Sequence, residues 1–451
     1  MGNEKNVKWV EVRISAASFA SIPLTLAQGL RGIASVSVIM THLTRAFYFR
    51  AFLASDGEGV APILWQMPIF RIIPQGRIGV TIFGFLTGFV CALKPLRQAR
   101  AGQHSDALTS IAKSAFRRLP RLVLPSTIAM IIAWLLAQLG AFHVAHRTDE
   151  VWLRDASPQQ SDSLFGAFVD LWNAFRSVWT EGYMPYDDHQ WAMLPLLKES
   201  MLAYVGLAAT IFMKYKYRMI TYLVMFCYFF QDKHDLIETF AQQLYFAMFL
   251  CDLSLHPTAQ AFMANNRFSL NMVSPFLIIF GLYLASYPAD GPEWLTWSRQ
   301  LMEMAQWLFP EGSDVARRYS ALGLDIIIVG ILFSSGAKDV LSNKYFMWLG
   351  RNSFAVYLIH GTLLRTVLIW MLYGITGEPF EEVRDENGVI IGNWIQRPGP
   401  LGFAIAIPVW LVIVYTCAHF WTSYVDNYCA QLTHKLEKFV FEEEEKSIPL
   451  V

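Results

Sequence analysis

Charge is scarce in this chain, and that scarcity identifies its solvent. Only 16% of the 451 residues are Asp, Glu, Lys or Arg, where an ordinary globular chain carries roughly 25%. Cysteine is scarcer still: Cys91, Cys227, Cys251, Cys417 and Cys429 stand singly, mostly within apolar runs. With no CxxC and no Cys/His ligand spacing, neither a disulfide framework nor a structural zinc site is expected. Neither sign of charge is in excess, 36 basic residues against 36 acidic, so no global field points to nucleic acid. Internal repeats and low-complexity linkers are absent. The first 23 residues are polar and charged and lack the apolar centre of a cleavable signal peptide, so the first hydrophobic segment is expected to act as an uncleaved anchor. Together these absences exclude a disordered chain, a disulfide scaffold and an ordinary cytosolic enzyme.

What the chain has in plenty is apolar surface. Hydrophobic residues make up 54% and aromatics 15%, including 33 Phe, 18 Tyr and 15 Trp, and the mean hydropathy is +0.35. A bilayer core needs about 20 apolar residues per helix. On that scale candidate spans fall near 24–46, 77–93, 119–141, 191–213, 217–231, 236–254, 268–287, 319–335, 351–374 and 400–423. The fifth and eighth are short. Alternation is absent and the runs are too long for lipid-facing strands. The expectation is an all-α, polytopic membrane helix bundle of about ten transmembrane helices. A cytoplasmic segment (1–23) precedes the membrane domain (24–423), and a cytoplasmic tail (424–451) follows it. The acidic run 442–446 reads as a solvated end. The stretch 163–180 has apolar residues at helical spacing and reads as an interfacial helix.

Orientation follows from Lys/Arg asymmetry between loops. Lys94, Arg97, Arg100, Lys113, Arg117, Arg118 and Arg121 crowd the connection after the second span, against one acid, Asp106. The next connection, 142–190, holds three arginines and eight acids, ending in Asp187 and Asp188. Basic and acidic loops largely alternate from there on, as ten spans with both termini in the cytoplasm require. No Asn-x-Ser/Thr sequon occurs.

Polar residues inside the spans are the candidates for function, because burying a charge in lipid costs several kcal/mol. Arg31 and His42 lie eleven positions apart in the first span, three helical turns, on roughly one face and about 16 Å apart. They read either as a functional pair or as a snorkelling arginine with a histidine satisfied by a neighbouring helix. Arg118 and Arg121 are helical neighbours if the third span has begun there, and together with Arg117 they suit either phosphate binding or simple retention of the loop in the cytoplasm. Thr87-Gly88 in the second span reads as close helix packing. His360 is a second intramembrane histidine, and His189, Trp191, Lys198 and Glu199 lie in the fourth span. Lys198 and Glu199 adjoin in sequence and so do not face each other on a helix.

These pieces resemble one family. "LAQGLRGIASVSVIMTHLTRAF" looks like the opening helix of the acyltransferase-3 membrane O-acyltransferases, in which a basic residue and a histidine are separated by ten positions, here Arg31 and His42. "GRIGVTIFGFLTGFV" is similar to the second helix, with Thr87 where Ser is usual. "RRLPRLVLP" resembles the Arg-x-x-Arg element as Arg118 and Arg121, and "FMWLGRNSFAVYLIHG" the late segment ending in His360. The late segment and the wording around Trp191 look most like the fungal branch. One departure stands out: fungal relatives usually carry Glu in the fourth span where this chain has Leu196, with Glu199 three residues on and Pro195 displaced by one.

The resemblance implies a membrane O-acyltransferase, most often an O-acetyltransferase, moving an acyl group from acyl-CoA to a hydroxyl. It implies Arg118, Arg121 and Arg117 on the CoA phosphates, Arg31 deeper along the pantetheine arm or near the carbonyl, and His42 as general base. His360, Glu199 and Trp191 would assist or line the acceptor pocket. Acyl-CoA is a cosubstrate; no bound cofactor and no metal are implied. The implied partners are acyl-CoA, an alcohol acceptor and the lipid bilayer, with no nucleic acid and no protein partner inferable. A lipophilic acceptor, such as a terpenoid or polyketide alcohol of secondary metabolism, is expected, in the endoplasmic reticulum or another endomembrane. A cell-surface carbohydrate as acceptor, a proton-coupled transporter, and a catalytically inactive relative serving as a binding or accessory subunit are the rival readings.

Overall fold

The computed structural model describes residues 5–231, 238–377 and 380–441; the acidic run 442–446 lies outside them. In chain order the principal helices are α1 (Lys5–Phe47), α2 (Arg77–Arg100), α3 (His104–Gln138), α4 (Leu164–Thr180), α5 (Met193–Thr210), α6 (Tyr215–Phe230), α7 (Glu238–Ser254), α8 (Arg267–Ala285), α9 (Thr296–Leu308), α10 (Val315–Phe333), α11 (Ser335–Leu341), α12 (Lys344–Leu363), α13 (Pro400–Trp421) and α14 (Asn427–Val440). One antiparallel hairpin, β1 (Phe380–Arg384) with β2 (Ile390–Ile395), interrupts them.

Every expected span is helical over its described residues, but not all ten have the length and hydropathy of a span. Among the described residues seven helices are long and apolar enough to cross a membrane, or eight if a bent pair is one span. The segments expected at 217–231 and 236–254 form α6 and α7, of 16 and 17 residues. At 1.5 Å per residue each reaches only about 25 Å, short of the ~30 Å hydrocarbon core. The segment expected at 319–335 is the bent pair: α10 and α11 meet at 104°. Ser334 breaks the helix by leaving helical backbone angles, and its hydroxyl accepts the N–H of Ala337 to cap α11. These are the spans of a multi-pass integral membrane protein.

The chain divides into two compact units, Met1–Arg97 with Met213–Tyr357, and Gln98–Phe212 with Leu358–Val451. In the first unit small residues let backbones approach closely. A Cβ at Gly350 of α12 would fall on the Gln28 carbonyl of α1, and one at Gly79 of α2 would sit 2.8 Å from the Ala34 carbonyl. Gly88 packs against Leu244 of α7 in the same way, so Thr87-Gly88 is a packing step. Gly281 of α8 and Gly323 of α10 face each other, each leaving room for the other's carbonyl at 2.5 Å from its absent Cβ. Away from these contacts α8 exposes Phe268, Met272, Phe276 and Ile279 along one face, the apolar surface that a lipid-facing helix presents.

A buried ion pair joins α6 to α7. Arg218 donates to Asp252 from Nε at 2.7 Å and from Nη2 at 3.1 Å, with both side chains all but fully buried. Removing one member of such a pair leaves the other uncompensated and costs about 3–5 kcal/mol. Arg218→Met is therefore expected to lower the thermal midpoint of the detergent-solubilised protein by several degrees, read by fluorescence-detected size exclusion after heating. A midpoint equal to wild type would show that this pair does not hold α6 and α7 together.

In the second unit Trp134 of α3 donates from Nε1 to the Ala167 carbonyl of α4 at 2.9 Å. The segment expected as an interfacial helix is α4, capped by Ser163, whose hydroxyl accepts the Gly166 N–H. It buries Ala167, Ala174 and Val178 against α3 and exposes Leu164, Phe165, Phe168 and Trp172, a distribution that suits a membrane interface.

Candidate active site

The expected site residues fall in both units. In the first, α1 runs unbroken through Arg31 and His42, both half-buried. Two contacts fix this part of α1. Thr41 donates its hydroxyl to the Ser37 and Gln75 carbonyls at 2.9 and 3.1 Å. Gly76, with φ +51°, leaves no room for a Cβ against Thr41 and Ser37. The helix bearing His42 is thus clamped one residue away from the histidine.

In the second unit α3 is already helical at residue 117 and continues through Pro120 and Pro125, so Arg118 and Arg121 are neighbours on one helix face. Arg118 donates from Nε to the Ser200 hydroxyl of α5 at 2.7 Å, and Arg121 is exposed. Arg117 turns to Glu437 of α14, 3.3 Å from its carboxylate. Glu199, adjacent to Ser200, is buried, whereas Lys198 is exposed. These two therefore lie on different faces, as their adjacency requires. Leu196, at the departure from the fungal pattern, uses its carbonyl to accept the Ser200 hydroxyl at 2.6 Å. Trp191 is half-buried at the turn that leads into α5.

His360 lies fully buried on α12, and the structure gives it a companion, His189, that the sequence reading placed in the fourth span without a role. The chain entering α5 is extended at Asp187 and tightens into a 3-10 turn over Asp188–Ala192, which carries His189 inward. The His189 and His360 rings stand 4.9 Å apart between centroids. His189 Nδ1 is 2.5 Å from Asp187 Oδ1, and both side chains are completely buried. The same carboxylate oxygen accepts from Arg365 Nη2 at 2.8 Å, and Arg365 is completely buried as well. Arg365 also donates to the carbonyls of Tyr186, Gly361 and Ala156. It sits in a π-helical turn, Leu364–Leu368, a distortion that re-aims side chains and recurs at functional sites. Gly361 completes the arrangement: a Cβ there would fall on His189 Nδ1 and Asp187 Oδ1.

The electrostatics follow from that geometry. Burial alone would push the Asp187 carboxyl up, but His189, Arg365 and the His189 hydrogen bond outweigh it and hold the carboxyl below the usual range. An ionised Asp187 accepts the Nδ1 proton of His189, which orients the ring and leaves Nε2 as the nitrogen turned away from the carboxylate. Asp187, Asp188 and His189 have the spacing of a metal-ligand group. Arg365, 2.8 Å from Asp187 and 3.8 Å from Asp188, already supplies the positive charge there, so the donor set fits a guanidinium rather than a metal ion. The signals in the sequence were an Asp-x-His triplet at the mouth of a span and an arginine five residues after His360 inside another.

Known proteins similar to this chain are fungal enzymes. O-acetyltransferase PaAT-1 of Phomopsis amygdali is 23% identical over 371 residues, covering 75% of this chain and 72% of the relative. Acyltransferase R4 of a Phoma species is 23% identical and covers 90% of this chain and 95% of the relative. Acyltransferase clz18 of Cochliobolus lunatus is 22% identical, with 76% and 83% covered. No solved structure matches. Residues 27–425 match the acyltransferase domain that defines the acyltransferase-3 family, and the chain belongs to that family.

Proposed function

We propose that this protein is an acyl-CoA-dependent O-acyltransferase, in the first instance an O-acetyltransferase, acting on the hydroxyl of a small lipophilic metabolite such as a terpenoid or polyketide alcohol. The first helix supports this most. Arg31 and His42 share one unbroken helix, so an imidazole is held about 16 Å along the axis from a guanidinium, in the order that the acyltransferase-3 opening helix carries them.

His42 removes the proton from the acceptor hydroxyl as general base. The oxygen attacks the thioester carbonyl carbon, the carbon–sulfur bond breaks, and CoA leaves with the electron pair on sulfur. Arg31 lies deeper along the pantetheine arm or near the carbonyl, where its charge holds the donor in place. Arg118 and Arg121 take the CoA phosphates, helped by Arg117; His360, Glu199 and Trp191 line the acceptor pocket. Transfer is direct, because no Ser or Cys stands in a recognisable nucleophile motif. Lys/Arg asymmetry favours both termini in the cytoplasm, with the endoplasmic reticulum or another endomembrane as the host. The apolar composition favours a lipophilic acceptor over a cell-surface carbohydrate.

Membranes containing the wild-type chain and a His42→Ala variant at equal abundance, given labelled acetyl-CoA and a panel of lipophilic alcohols, test this directly. Wild type is expected to form a labelled ester that the variant lacks. Equal ester from both would remove His42 from the mechanism, and no ester from either, with longer acyl-CoAs and sugars also tried, would overturn the transferase itself.

A further inference from the structure

The His189 imidazole is backed by a completely buried carboxylate. Its Nδ1 meets Asp187 at 2.5 Å, Asp187 meets Arg365 at 2.8 Å, and all three side chains are completely sealed from solvent. A structural tie alone does not need this chemistry. A lone hydrogen bond would anchor the turn, and burying three titratable groups costs far more than burying apolar ones. Several features serve the imidazole specifically. Gly361 gives up its side chain so that the ring fits. The π-helical turn aims Arg365 at the carboxylate. Trp152 stands edge-on to the ring at 5.6 Å. Within the second unit, the titratable and charged groups facing His189 among the described residues are Asp187, Asp188, Arg365 and His360.

We infer that His189 is a second acid–base residue of the acyl transfer, with Asp187 and Arg365 as the residues that position it. The inference rests on the transferase reading above. A carboxylate fixed on Nδ1 orients the ring, selects the tautomer with Nε2 open for a proton, and stabilises the imidazolium once Nε2 has taken one. The reaction needs such a carrier, because the proton that leaves the hydroxyl oxygen must end on the CoA sulfur. As the oxygen–carbon bond forms and the carbon–sulfur bond breaks, the electron pair departs on sulfur. The proton that His42 takes from the hydroxyl reaches Nε2 of His189, passes from there to the departing sulfur to give the free thiol, and leaves both rings as they began. The products are ester and thiol, with no proton gained or lost. His189 and Arg365 together hold the Asp187 carboxyl ionised against its burial.

The test compares Asp187→Asn, Asp187→Glu and His189→Gln with wild type in membranes at equal folded abundance, measuring ester formation against acetyl-CoA concentration. Asp187→Asn keeps the shape and loses the charge, and is expected to lower kcat about 100-fold or more, in the range of positioned acid–base groups, with KM for acetyl-CoA unchanged. His189→Gln is expected to fall at least as far, and Asp187→Glu to recover part of the loss because the charge returns. Losses in KM and kcat together, or no difference between Asn and Glu at 187, would mark a structural tie and overturn the inference while leaving the transferase standing. Wild-type membranes that make no ester would overturn the transferase reading and this inference with it.

Discussion

Gly361→Ala is expected to destroy activity while the equally helical Gly336→Ala leaves it near wild type. The added methyl at 361 lands on His189 Nδ1 and Asp187 Oδ1. Neither group is a free side-chain end: Asp187 is held by Arg365 and approached by the Thr362 hydroxyl at 3.5 Å. Overpacking of a rigid site costs about 1–3 kcal/mol. The larger effect is displacement of the imidazole, since a misplacement of about 1 Å in a catalytic constellation costs around 100-fold. At Gly336 the nearest atom to a new Cβ is 4.0 Å away, and alanine favours the helix. Ester yield and thermal midpoint for the two variants, measured side by side, decide the matter. Comparable activity in both would mean that the packing of His189 against α12 has no bearing on catalysis.

Arg365→Met is expected to be the most destabilising single substitution at the site, and worse than Asp187→Asn. Loss of the guanidinium leaves a completely buried carboxylate with His189 as its remaining close counter-group, a change worth about 3–5 kcal/mol. The pH dependence follows from the direction of the Asp187 shift. A carboxyl held below its ordinary range contributes stability that is fully present above the unfolded-state value near 4 and is lost only as pH falls through the depressed folded value. Without Arg365, burial is opposed by less, so the loss begins at higher pH. Thermal midpoints of wild type, Arg365→Met and the double variant Arg365→Met/Asp187→Asn, taken from pH 8 down to 4, read this. The double variant should be more stable than Arg365→Met alone, because the stranded charge has gone. A double variant less stable than the single would contradict the pairing.

Much of the fold was legible because lipid leaves so few choices. Backbone polar groups in a bilayer must be satisfied within helices, so apolar runs of span length mark elements directly, and all ten expected segments are helical over their described residues. Ten spans were expected and seven or eight helices have a span's length and hydropathy, and the difference lies where length and continuity matter. α6 and α7 are short and joined by a buried Arg218–Asp252 pair, and α10 ends at a serine whose cap is a local hydrogen bond. Hydropathy reads neither. Arg31, His42, Arg118 and Arg121 were visible because a charge in an apolar run is conspicuous. His189 stood out only as a polar residue of the fourth span and Asp187 only as a loop acid, because at a loop-to-span boundary polar residues are ordinary and nothing marks the two as a pair. Arg365 was missed for a different reason: its partner lies 178 residues away in sequence, and one sequence gives no sign of which distant groups will meet.

The central claim is that acyl-CoA gives up its acyl group to a hydroxyl here, and stoichiometry tests it most directly. In membranes containing the wild-type chain, supplied with acetyl-CoA and a lipophilic alcohol, the thiol released and the ester formed are counted in the same reaction. Direct transfer predicts one thiol per ester, with both falling together in His42→Ala. Thiol without matching ester would make the protein a thioesterase, and ester without thiol would place the acyl donor elsewhere. Either result would contradict the account.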